Sequence, residues 1–196
     1  MKKMKKIKNL IRLFAILSVL FFGFNACKKK GIDYAKLKAD EIVQREQYLD
    51  YMYDTLHITE DGITYIAIVE NGDTIMPTYL GEYSTIGMYY IDKTPEDRIL
   101  GVKPTPGRLV EVKFTGYLLD GTVFDTSDSS STGTFHMVYG VGKVITGWDE
   151  GLSYMNKGSI ARLIIPSDLA YGQYGSEDIP SYSTLVFDIE IVNAQK

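Results

Sequence analysis

Val144-Ile145-Thr146-Gly147-Trp148-Asp149-Glu150-Gly151 is the stretch on which the reading of this chain turns. It sets the single tryptophan of 196 residues on the first turn of a short, glycine-bearing predicted helix, directly after two β-branched residues. Phe124-Asp125 lies upstream and Ala170-Tyr171-Gly172 downstream. A large indole in that company implies an apolar bowl with a few polar groups at its rim. Such a bowl suits a proline ring and the amide that precedes it.

Working outward, the flanking segments read as strands. Val110, Val112 and Phe114 alternate with Glu111, Lys113 and Thr115, the period-2 mark of a half-buried strand. Asp120-Gly121 is a hairpin signal ahead of Val123-Phe124. A Ser/Thr/Gly-rich loop, Ser127 to Thr134, leads to a short strand, Phe135 to Tyr139, and the central helix spans Ile145 to Met155. Ile160 to Ile165 and Thr184 to Val192 are strongly β-prone, with Leu185, Phe187, Ile189 and Ile191 on one face. The expected fold is therefore α+β: antiparallel strands wrapped around one short helix, with no strand–helix alternation. Before it, Asp33 to Met52 predicts a helix whose apolar positions follow the 3.6-residue period only loosely, a semi-exposed spacer or a packing arm. Gly62 to Val69 predicts a strand ended by Asn71-Gly72. Gly87 to Ile91 predicts a sheet extension or an old partial duplication, and proline-rich 92–107 a long connection.

The first 26 residues read differently. Five lysines and Arg12 precede an apolar run from Leu13 to Phe24, too short at 12 residues to span a bilayer as a helix. Cys27, the only cysteine, follows Phe24-Asn25-Ala26 at the expected cleavage point. One thiol makes no internal disulfide, and the pattern resembles a bacterial lipoprotein signal, which implies Cys27 as the acylated first residue. The expected organisation is a signal peptide over 1–26, a helix-and-strand extension or tether over 27–86, and a domain over 87–196. Beyond residue 26 the chain has 15 Lys and Arg against 25 Asp and Glu. That balance argues against a nucleic-acid partner. Lys28-Lys29-Lys30 lacks an acidic run after the anchor, which favours an outer-membrane protein facing the periplasm.

Five blocks carry a resemblance. They are Val112-Lys113-Phe114-Thr115-Gly116, Asp120 through Ser127, Gly140 through Gly151, Leu169-Ala170-Tyr171-Gly172 and Thr184 through Asp188. In order and spacing, residues 87–196 resemble an FKBP-type peptidyl-prolyl isomerase domain. The resemblance implies a pocket floored by Trp148 and walled by Phe124, Phe135, Val144, Phe187 and Ile179. It also implies rim groups Tyr171 and Asp125 and an Ile145 backbone N–H donor to the substrate carbonyl. Phe114 lines the same pocket where a tyrosine is common, removing one rim hydroxyl. The loop from Gly172 to Thr184 is one residue shorter than usual and carries acidic Ser176-Glu177-Asp178.

The function implied is prolyl isomerisation on unfolded or partly folded exported polypeptides, without cofactor or metal. The rival is a proline-recognising binding or chaperone module of an envelope assembly with little turnover, a reading that Phe114 and the acidic loop favour. The N-terminal helix can hold the domain off the membrane or pair two copies. Other chemistries lack their residues: two histidines and one cysteine are too few for a zinc cluster, and Gly142-Lys143 is followed by Val144 rather than Ser or Thr.

Overall fold

The computed structural model describes residues 32–60, 63–70, 72–77 and 87–196. The expected signal, Cys27, Lys28-Lys29-Lys30, Gly62 and Asn71 lie outside these residues. Met1–Asp33 and Tyr34–Lys196 are separate units, and the fold described is that of the second.

Helix α1 spans Tyr34–Met52. Strands β1 (Asp54–Glu60), β2 (Ile63–Glu70) and β3 (Asp73–Ile75) form an antiparallel three-stranded sheet. Only β2 was legible in the sequence. β1 pairs with it from Asp54↔Val69 to Glu60↔Ile63, and β3 returns beyond the Gly72 turn, where φ is +92°.

The larger sheet holds β4 (Tyr89–Asp92), β5 (Leu109–Leu118), β6 (Val123–Thr126), β7 (Phe135–Val138), β8 (Ile160–Ile165) and β9 (Leu185–Ala194). Its order is β4-β8-β9-β5-β6, with β7 also paired to β5 and every pairing antiparallel. Gly87 to Ile91 is thus a sheet extension. Alternation along β5 buries Val110, Val112, Phe114 and Gly116, as the sequence pattern predicts.

Helix α2 (Thr146–Leu152) is shorter than the expected Ile145 to Met155. It lies against β8 through two glycines four residues apart. A Cβ on Gly147 would stand 2.4 Å from Ile165 Cγ2, and one on Gly151 would stand 2.4 Å from Leu163 Cδ1. Only a side-chain-free stripe permits that approach. Trp148 and Leu152 between and beyond them are buried in the main core with Val112, Leu163, Leu185, Phe187, Ile189 and Ile191.

A second core lies against other residues of the same strands. Leu49 of α1 and Ile66 and Ile68 of β2 pack with Tyr89, Ile91, Ile164 and Val186. The Tyr89 hydroxyl donates to the Ile66 carbonyl within it. Of the two expectations for the N-terminal helix, the structure therefore has the packing arm. Its buried stripe is Glu41, Arg45 and Leu49. Val43 and Met52, apolar positions in the sequence pattern, are exposed.

Candidate active site

Strand β5 brings Phe114 to the inner face of the large sheet, β7 brings Phe135, β9 brings Phe187, and α2 brings Trp148. The rings meet nearly at right angles. Trp148 stands 5.0 Å from Phe114 at 83°, 5.3 Å from Phe187 at 87° and 6.2 Å from Phe135 at 84°. Phe124 of β6 meets Phe187 edge-on at 5.5 Å and 89°. Edge-to-face pairs set the positive rim of one ring on the negative face of another, worth about 0.5–1.5 kcal/mol each beyond burial. The rings hold one another in place. Gly116 makes room for them: a Cβ there would lie 2.6 Å from Phe124 Cζ and 2.9 Å from Phe187 Cε1.

Trp148 is 4% exposed, and Phe114, Phe187 and Ile179 are buried beside it. Phe135 is 40% exposed, and half-buried Phe124, Val144 and Ile145 pack against the cluster. These four are partly open to solvent. Trp148 Nε1 is buried without a hydrogen-bond partner.

The approach to α2 is shaped by Asp149, which sequence reasoning passed over. Its carboxylate accepts the backbone N–H groups of Gly140 at 3.1 Å and Gly142 at 3.3 Å, gathering the loop that ends at Val144-Ile145. Both glycines have positive φ, +71° and +65°. Ser127 is the other missed support: its hydroxyl accepts from the Phe114 N–H at 3.0 Å and ties the turn after β6 to β5.

The structure brings together Phe114, Phe124, Phe135, Val144, Ile145, Trp148, Ile179 and Phe187. The two expected rim groups stand outside that apolar cluster. Asp125 is exposed on β6 and its Oδ1 accepts from the Thr126 N–H at 2.8 Å. Tyr171 is 40% exposed on the connection between β8 and β9.

The large antiparallel sheet thus lies over a short helix, with aromatic rings packed edge to face around one tryptophan, and comparison with known proteins places this arrangement. The family described as FKBP-type peptidyl-prolyl cis-trans isomerase matches residues 101–192. The chain is 45% identical to FK506-binding protein 2 of Debaryomyces hansenii over 103 residues, 53% of this chain and 75% of that protein. It is 43% identical to the peptidyl-prolyl cis-trans isomerase FPR2 of Saccharomyces cerevisiae over 117 residues, 59% of this chain and 85% of that one. With the FKBP-type isomerase FkpA of Aeromonas hydrophila it shares 42% identity over 97 residues, 49% of this chain but only 35% of that protein. Among solved structures, FkpA from Escherichia coli superposes with a TM-score of 0.55 at 29% identity, covering 81% of this chain and 62% of that one. This chain belongs to the FKBP-type peptidyl-prolyl cis-trans isomerase family and is an isomerase of that type.

Proposed function

We propose that this isomerase is exported, held to the outer membrane through acylated Cys27, and acts from the periplasmic side on unfolded or partly folded envelope proteins. The lipoprotein-like first 27 residues support that reading. Domain bounds of 1–26 for the signal, 27–86 for the extension and 87–196 for the isomerase domain belong to the same proposal. So does pairing of two copies through the exposed Val43, Tyr51 and Met52 of α1. Mass spectrometry of the mature terminus tests the anchor, and sedimentation of the membrane-free protein tests the pairing.

Within the site, Trp148 is assigned as floor, with Phe114, Phe124, Phe135, Val144, Ile179 and Phe187 as lining. Ile145 supplies a backbone donor, and Asp125 and Tyr171 are rim groups. The edge-on packing of three phenylalanines around one indole carries this assignment. Rotation about an amide is resisted by roughly 18–20 kcal/mol because twisting removes resonance. The twisted amide has less charge separation than the planar one, so an apolar cup disfavours it less than water does. A thousandfold acceleration requires about 4 kcal/mol of differential stabilisation. Desolvation, shape and one or two hydrogen bonds suffice, with no nucleophile or proton relay. An exchange assay on a prolyl peptide with Asp125→Ala and Trp148→Leu is decisive. Full activity in both folded variants would refute the assignment.

A further inference from the structure

Glu41, on a helix outside the family-matched residues, is 2% exposed. A carboxylate withdrawn from water persists only where donors replace its hydration. Four do so here. Oε1 accepts from the Ser167 backbone N–H at 2.7 Å and the Thr184 hydroxyl at 2.9 Å. Oε2 accepts from the Ser167 hydroxyl at 2.7 Å and the Lys38 ammonium at 2.8 Å.

These partners lie at the two ends of one segment. Ser167 comes just after β8 and Thr184 just before β9, so a single side chain closes the 166–184 connection at its base. From there the order propagates inward. The Ser167 carbonyl accepts from Ala170 and Gly172, each at 2.9 Å, and these are the residues on either side of Tyr171. The Gly172 carbonyl accepts in turn from the Tyr182 N–H at 2.9 Å. Tyr182 has φ +55°, the one left-handed non-glycine among the described residues. That conformation is strained for a residue with a side chain and needs outside support. The support comes from α1 again: Lys38 Nζ lies 5.8 Å from the Tyr182 ring centroid, and the Tyr34 ring lies 6.2 Å away. Lys38 also pairs with Asp168 at 2.9 Å. The same connection delivers Ile179 to the cluster on Trp148.

We propose that Glu41 is a positioning residue for prolyl turnover: through Ser167 and Thr184 it holds the connection that sets Tyr171 and Ile179 at the cup. This rests on the assignment of the Trp148 cup as the active site. α1 is then a working part of the enzyme, making a rim that residues 101–192 alone would leave loosely tethered.

The test uses the full chain carrying Glu41→Ala, Glu41→Gln or Ser167→Ala, with Gln44→Ala on the exposed side of α1 as control. Amide exchange at Gly172 and Tyr182 should quicken by about tenfold or more in Glu41→Ala while Ile189 in β9 keeps its protection, because local openings lie below the global one. KM for a prolyl peptide should rise about three- to tenfold with a smaller fall in kcat, the pattern of a loosened binding rim. Glu41→Gln and Ser167→Ala should fall between wild type and Glu41→Ala, and they remain informative should Glu41→Ala not fold. The lone tryptophan reports peptide binding at the cup directly by fluorescence. Two results overturn the proposal: loop and strand exchange rising together, or a loosened loop with unchanged KM. Activity surviving Trp148→Leu would instead sink the active-site assignment beneath it.

Discussion

Both cores on the large sheet are apolar, but among the described residues only the one against α1 has buried charge beside it. Around α2, burial is aromatic and aliphatic, and shape comes from rings meeting edge to face. Against α1, a turn of aliphatic contact at Leu49 is joined to charge: Glu41 and Arg45 are buried, and Arg45 Nη1 has no hydrogen-bond partner. Burial disfavours the Arg45 charge, and the Glu41 carboxylate supports it. A cup that works by low polarity must be free of fixed charge. A clasp that must hold a loop in one register benefits from directional hydrogen bonds. The sheet between them keeps the two requirements apart.

The comparison can be broken most sharply at Trp148. Trp148→Leu should lower kcat/KM about a hundredfold or more while the fold survives, since misplaced contacts at a site cost on that order. A stopped-flow assay beside a circular-dichroism melt checks this. Leu49→Ala, on the other core, should do the reverse: a loss of about 2–5 kcal/mol in urea unfolding, with turnover per folded molecule nearly unchanged. A collapse of activity there would show that the two cores are not separable. Gly147→Ala should cost about 1–3 kcal/mol, because its Cβ meets Ile165 and α2 must lift from β8. Denaturant melts and Trp148 fluorescence would register both the loss and the shift.

The smallest effect is one of pH. Burial pushes the Glu41 carboxyl up, but the Lys38 ammonium and the Ser167 donors outweigh it and hold the group below its usual 4.5. The depressed value makes its stabilisation complete above 4.5 and lost as pH falls through the folded value. The charges around it are Lys38 and Arg45 on α1 and Asp168 across from it, with Tyr89 near Arg45. The melting temperature of wild type should therefore fall between neutral pH and about pH 3 by more than that of Glu41→Gln. Equal acid sensitivity in the two would mean that other carboxylates dominate.

Strands β5, β8 and β9 were legible because each presents a continuous apolar face that only one register can bury. β1 was not: Asp54-Thr55-Leu56-His57-Ile58-Thr59-Glu60 is largely polar, and its pairing with β2 decides it. The Asp61-Gly62 hairpin signal between them was there to be read. Which face of α1 is buried was not legible because patterning searches for apolar periodicity, and the stripe here is Glu41, Arg45, Leu49. Spaced four apart, these share one helical face, but two are charged, and charge at such spacing ordinarily means solvent.

By itself, the amino-acid order determined the α+β sheet and the short glycine-bearing helix, because local period and residue type suffice for those; the aromatic residues that meet on Trp148 were picked out only by the family resemblance of their sequence blocks. Tertiary structure alone decided that a carboxylate on α1 closes the base of the 166–184 connection. The donors that make Glu41 tolerable away from water come from Ser167 and Thr184, more than a hundred residues along the chain. No local pattern encodes a desolvation penalty that is offset only when distant segments meet.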